Sequence, residues 1–223
     1  MQTFDTPAPV TAVLDIPAGR IQFIAADRAD TRIEVLPADA SRSRDVKAAE
    51  EIVVAYGDGV LRIEAPEPKN RILGHSGSVE VTVQLPAGSH VRAKAGAAEL
   101  RGVGRLGDVT FEGGHRSVKI DEAASARLTA HDGDVSVGRL AGPAEIRTQR
   151  GDIRITEAAH GTVTLRTERG DIAVAAARGV SASLDAGTSY GRVRDALTRT
   201  DGSAAGLAIH ATTAYGDITA HSL

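Results

Sequence analysis

The chain has no cysteine and no tryptophan. Without thiols there is no disulfide framework and no thiolate metal site, and the redox compartment is left open. Aromatic residues make up only 3% of the chain, too few for the stacking platforms of single-strand nucleic-acid binders and of many sugar binders. No apolar run approaches 18 residues, so no membrane-spanning helix and no direct membrane insertion are expected. The opening, MQTFDTPAPV, has no basic segment followed by an apolar stretch. It does not read as a secretory signal, and the expected location is cytoplasmic. An excess of one charge is missing too. A net charge of −3 gives no general pull toward nucleic acid or anionic lipid. Lysine is scarce, with only Lys47, Lys69, Lys94 and Lys119 beside 22 arginines. That pattern matches the coding bias of a GC-rich genome and carries no functional reading.

What the chain does have is a recurring line of text. GDVTF starts at Gly107, GDVSV at Gly133, GDIRI at Gly151, GDIAV at Gly170 and GDITA at Gly216, with a worn copy, GRVRD, at Gly191. Register marks at Val91, Phe111, Leu128, Ile146, Leu165, Leu184 and Leu207 are 20, 17, 18, 19, 19 and 23 residues apart. Each unit holds two short strands in which apolar residues alternate with polar or small ones, as in Ile153, Ile155, Val163, Leu165, Ile172 and Val174. One such unit cannot bury enough surface to stand alone, so the repeats must stack. Hairpins in a sandwich would alternate as well. The recurrence of the same residue types at the same place favours a solenoid, with about 19 residues per rung.

The first 90 residues follow the scheme more loosely. VLDIPAG (Val13 to Gly19) and VQLPAG (Val83 to Gly88) form a second repeat, read as strands that end in Pro-initiated turns. Ala40 to Glu51 is charged and reads as a loop or a short helix. IVVAYGDGVLRIEA reads as a hairpin about Gly57-Asp58-Gly59. Pro66 to Ser78 is the most loop-like stretch. No linker separates two domains. The expectation is therefore one domain over 1–223, with irregular rungs and a cap over 1–90 and regular Gly-Asp rungs over 91–223.

The Asp column, Asp108, Asp134, Asp152, Asp171 and Asp217, is the obvious place to look for calcium. Calcium-binding rolls need several oxygens per short turn, whereas here each rung offers one. The structural reading is preferred: Gly107, Gly133, Gly151, Gly170, Gly191 and Gly216 supply positive φ, and each Asp bonds its own turn. Arg147, Arg150, Arg166 and Arg169 would relieve carboxylate repulsion by pairing between rungs. The two Arg-Gly-Asp tripeptides, at Arg150 and Arg169, enter strands in register and read as punctuation. His75, His90, His115, His131, His160, His210 and His221 show no zinc spacing. His131 and Asp132 beside Asp134 are the least implausible site among them, and they read as a solvated turn. GSAAG at Gly202 is not a phosphate loop, and GHSGS at Gly74 is not a nucleophile elbow. No catalytic residue, cofactor site or metal site is marked out.

Repeated GDI-type turns with flanking strands, in units just under twenty residues, resemble the toastrack or putative-adhesin β-strand-repeat family of unknown function. IPAG, LPAG and SGSVEVTVQLPAGS are similar to its actinobacterial members. The resemblance spans nearly the whole chain, most clearly Ser78 to Leu223. It implies a right-handed, single-stranded β-helix-like stack and an association with bacterial envelope-stress systems as a non-enzymatic assembly or sensing surface. Members often carry membrane helices or a transporter-linked segment, and this sequence shows neither. The expectation is an all-β solenoid that binds a protein partner, with homo-oligomers through the solenoid ends. An adhesin for carbohydrate or envelope polymer is the alternative, and a β-helix lyase or hydrolase comes third. Tyr56, Tyr190 and Tyr215 are the tyrosines available for glycan stacking.

Overall fold

Alternation decides the local structure, because every apolar side chain that leaves water turns its two neighbours outward on an extended chain. The computed structural model describes residues 1–66, 77–198 and 206–223. Among them lie seventeen strands and one helix. The first are β1 (Gln2–Asp5), β2 (Thr11–Ala26) and β3 (Asp30–Pro37), followed by α1 (Ser43–Glu51), β4 (Val53–Gly57), β5 (Val60–Glu64) and β6 (Val79–Pro86). Next come β7 (His90–Gly113), β8 (Val118–Thr129), β9 (Val135–Leu140), β10 (Ala144–Arg150), β11 (Ile153–Ala158), β12 (Gly161–Arg169) and β13 (Ile172–Ala176). The chain closes with β14 (Ala182–Tyr190), β15 (Val193–Ala196), β16 (Leu207–Tyr215) and β17 (Ile218–Ser222). No helix among the described residues is long and apolar enough to cross a membrane.

Long strands turn corners and serve two faces. β2 pairs with β5 through its first leg and with β6 through its second, while β7 runs along both legs. One face of the stack therefore runs β4, β5, β2, β7, β8, β10, β12, β16, β14. The other runs β1, β3, β6, β2, β7, β8, β9, β11, β13, β17, β15. Stacked rungs pair in parallel, so like side chains fall on like. Val118, Val135, Ile153, Ile172 and Ile218 form one buried column. Phe111, Leu128, Ile146, Leu165 and Ala211 form another. These columns are the core of an all-β solenoid.

The N-terminal end is closed differently. β4 lies antiparallel to β5, β3 to β6 and β1 to β3. Helix α1 occupies the end of the charged segment and packs its Ala48 and Ala49 toward the core. Its buried Asp45 accepts the Ser78 N–H at 2.9 Å, tying the helix to the start of β6. The hairpin about Gly57-Asp58-Gly59 forms with Asp58 at φ 50° and Gly59 at φ 73°, the left-handed pair of a type I′ turn.

Two expectations give way. VLDIPAG does not end a strand, because β2 passes through Pro17-Ala18-Gly19 and only changes partner there. The stack also departs from chain order at its C-terminal end, where β16 and β17 insert between β12–β13 and β14–β15. Burial explains the exchange. Leu207, Ile209, Ala211, Ile218 and Ala220 are all buried, whereas β15 is exposed throughout and β14 is mostly exposed or half-buried. The more apolar rung takes the interior place and the polar one the end. As a result Leu184 stacks on Ile209, and Leu207 on Ala182 and Gly161, so neither joins the column of Leu165. Residues 67–76 of the Pro66–Ser78 stretch, with His75, and residues 202–205 of GSAAG lie outside the described residues.

Candidate interaction surface

The Gly-Asp corner is built by four ladders that run up the stack. Gly151 has φ +133° and Gly170 φ +147°, a region open in practice only to glycine. A Cβ on Gly151 would lie 2.3 Å from the Gly133 carbonyl oxygen, and one on Gly170 would lie 2.1 Å from that of Gly151. The rungs thus touch backbone to backbone at this corner. Beside the glycines, each Asp carboxylate caps the next rung instead of its own turn. Asp134 Oδ1 accepts the Asp152 N–H at 2.9 Å, Asp152 Oδ1 that of Asp171 at 2.8 Å, and Asp171 Oδ1 that of Asp217 at 2.7 Å. Asp217 Oδ1 then accepts the Arg192 N–H at 2.9 Å. Arg192 stands where the other copies have Asp, so it can receive the cap but cannot pass it on. The worn copy is the terminus of the ladder.

The third ladder escaped the sequence reading. Thr167 donates its hydroxyl to the Gly151 carbonyl at 3.1 Å, Thr213 to Gly170 at 3.1 Å and Thr188 to Gly216 at 3.0 Å. Thr148 donates to the Arg150 carbonyl at 3.1 Å. Thr148, Thr167 and Thr213 are buried. The signal was present: a Thr stands three places before Gly151, Gly170, Gly191 and Gly216. The fourth ladder is outermost, with Arg150 level with Arg169, Arg169 with Tyr215 and Tyr215 with Tyr190. The two tyrosine rings stack at 4.9 Å and 3°, and the Arg169 guanidinium lies 5.6 Å from the Tyr215 ring centre. Tyr56 instead packs against Phe4 at the other end.

Other sequence candidates disperse. Gly107 and Asp108 sit at the opposite corner, where a first-face leg of β7 begins, and Gly107, unlike the other repeat glycines, does not have the positive φ expected of it. There Asp108 donates its N–H to His90 Nδ1 at 3.0 Å and accepts the Ser125 hydroxyl at 2.6 Å. The four arginines do not bridge the Asp column. Arg150 pairs with Asp132 at 3.4 Å and Arg147 with Glu145 of its own strand, while Arg166 and Arg169 have no carboxylate partner among the described residues. His131 stacks on His115 at 5.7 Å, and His210 lies 3.2 Å from Asp185. Among the described residues no three His, Asp or Glu come together as a metal-holding group.

The first face carries a concavity of about 530 Å³, open across the rungs of β2, β7, β8 and β10. His90, Arg92, Asp108, Thr110, Arg127 and Glu145 supply its polar wall. One outward column reads Thr110, Arg127, Glu145, Thr164, His210, Asp185 from rung to rung. Its charges change sign instead of accumulating, and Arg127 reaches Glu145 at 3.4 Å. A second concavity, about 280 Å³, lies by α1 and contains Asp39. The Ser41 hydroxyl and N–H, with help from Arg42, hold the Asp39 carboxyl below its usual range. Hydrogen bonds from Arg28 and then Arg32 do the same for Asp30. Both groups fix turns of the N-terminal cap.

The family model Toastrack DUF4097 matches residues 11–222. No curated protein matches the sequence. Among solved structures, a putative cell adhesion protein from Clostridium sporogenes ATCC 15579 is similar over 100% of this chain and 98% of its own, at 12% identity and a TM-score of 0.42. A putative adhesin from Bacteroides fragilis NCTC 9343 is similar over 98% and 95%, at 13% identity and a TM-score of 0.44.

Proposed function

The chain belongs to the Toastrack family DUF4097, and from that premise we propose that it works without catalysis, as one interaction domain that offers its first face to a protein partner. The setting we infer is bacterial envelope stress. The observation that carries this reading is the sign-changing column through Arg127 and Glu145 beside the open concavity. A protein surface meets such a mosaic with complementary charges of its own. A uniformly charged polymer would call for a column of one sign. Acid–base catalysis would call for convergent groups with shifted pKa in a cleft. The two carboxyls with lowered values belong to turns of the cap instead.

A second reading, an adhesin for envelope polymer, is favoured by one feature. Tyr190 and Tyr215 are 67% and 51% exposed and flanked by Arg169, a surface on which a sugar ring can stack. The deciding experiment immobilises the chain and exposes it to an extract of the native host. The wild type should retain a protein that the double variant Arg92→Glu, Arg127→Glu loses, with the melting temperature unchanged. Retention of polysaccharide instead, abolished by Tyr215→Ala, would replace the first reading by the second.

A further inference from the structure

The two ends of the stack are finished in opposite ways. At the N-terminal end the parallel rungs are closed by antiparallel strands, and the outermost are short: four residues in β1 and five in β4, while α1 packs on β3 and β6. Short edges and covering helices are the usual defences against unwanted strand pairing. At the C-terminal end the last rung is β14, nine residues long and parallel to β16. Among the described residues no strand pairs with its other side. Ala182, whose N–H reaches the Thr198 carbonyl at 3.3 Å, is tied at one extremity. The strand has no Lys, no Pro and no bulge in its register. Its sole charge is Asp185, and a Cβ on Gly187 would meet no atom within 4 Å. The outer ring of the tyrosine ladder, Tyr190, is 67% exposed at the same end.

We propose that this end is the docking surface for a second copy of the chain, and that two molecules join tail to tail through antiparallel pairing of β14 about a two-fold axis. Beyond Ala182 the outer side of β14 offers main-chain donors and acceptors with no strand partner among the described residues, and the same row on another copy is their complement. A two-fold centred on Ala186 sets Asp185 opposite Gly187 of the second copy. A centre at Asp185 would set the carboxylate against itself. Because the N-terminal ends are closed, the assembly stops at two and does not grow into a filament. Nine residues span about 30 Å, and two sheets about 10 Å apart make an end about 15–20 Å wide. About 1,000 Å² is then buried in all, the lower limit for a specific interface. The dimer is accordingly reversible and forms at micromolar concentration. It uses the end of the stack and not the broad face, so it stands or falls apart from the partner binding argued above.

Sedimentation of the chain from about 1 to 200 µM, where a pair of this size assembles, tests the proposal. The wild type should pass from monomer to dimer. Gly187→Glu places a new carboxylate against Asp185 of the second copy at both symmetric positions. It should raise Kd at least about tenfold, with an unchanged melting temperature. Ala186→Pro should act likewise, and where it lowers the melting temperature, Gly187→Glu decides alone. Amide exchange in β14 should slow as concentration rises, while exchange in β4 should not. A wild type that stays monomeric, a dimer equally strong in Gly187→Glu, or growth beyond two copies would each overturn it.

Discussion

Position 170 has room for a hydrogen atom and nothing larger. Its φ of +147° excludes a side chain, and the Gly151 carbonyl fills the space a Cβ would need. Gly170→Ala therefore combines backbone strain of about 1–3 kcal/mol with a forced separation of two rungs. The melting temperature should fall by at least about 5 °C, at about 2–4 °C per kcal/mol for a chain of this length. Gly179 is the control. It also has positive φ, +76°, but nothing lies within 4 Å of its Cβ position. Gly179→Ala should carry only the strain term and cost about 1–2 kcal/mol. One rung further in, Ile153 is fully buried between Val135 and Ile172, and Arg154 beside it is exposed. Ile153→Arg should unfold or aggregate the protein, since an unpaired charge in that column has no solvation. Arg154→Ala should stay within about 0.5 kcal/mol of wild type. A thermal melt that ranks them the other way would overturn the facing of the strand. This facing was legible in the sequence, because alternation fixes it residue by residue. The target of each Asp was not. An Asp one place after Gly can bond its own turn or the next rung with equal ease on paper, and only the closeness of the rungs selects the second.

At the scale of the element, the last strand pair of the chain is not the last of the stack. β16 is flanked by β12 and β14, whereas β14 has a strand on one side among the described residues. Amide exchange at low protein concentration should accordingly be slower in Leu207–Tyr215 than in Ala182–Tyr190, although the former lies nearer the C-terminus. Equal or reversed protection would mean that the exchanged order does not hold in solution. The hairpin at Gly57-Asp58-Gly59 was visible in the sequence because it is set by local chemistry, and the helix over Ser43–Glu51 is one of the two readings, loop or short helix, that the charged segment left open. The exchange was hidden because it depends on a comparison between rungs that sit apart in the chain. Asp171 and Asp217 are 46 residues apart and yet bonded. Even so, the clue was one residue. Arg192 in the Asp position marks the copy that can only end the ladder, and SLDAGTSY supplies the polar end rung that goes with it.

For the whole molecule, the consequence of these ladders is a corner already satisfied from within. The Asp column invites a metal reading, since Asp134, Asp152, Asp171 and Asp217 stand in line up one corner. In a calcium site the carboxylates would converge on an ion that takes six to eight oxygens at 2.3–2.6 Å. Here each rung supplies one carboxylate, and one oxygen of each is already spent on the N–H of the rung above. Ion binding would have to break those bonds and return several backbone donors to solvent or leave them unpaired, at about 1–3 kcal/mol each where they are buried. A ligand that binds the folded state alone raises the melting temperature in proportion to its occupancy. Millimolar calcium, or EDTA in its place, should therefore leave the melt unchanged, and the circular dichroism should remain that of a β protein with one short helix in both. A saturable rise of several degrees with calcium, reversed by EDTA, would show that the carboxylates leave the backbone for the ion. The corner would then be a metal ladder and not the hydrogen-bonded seam that holds the rungs together.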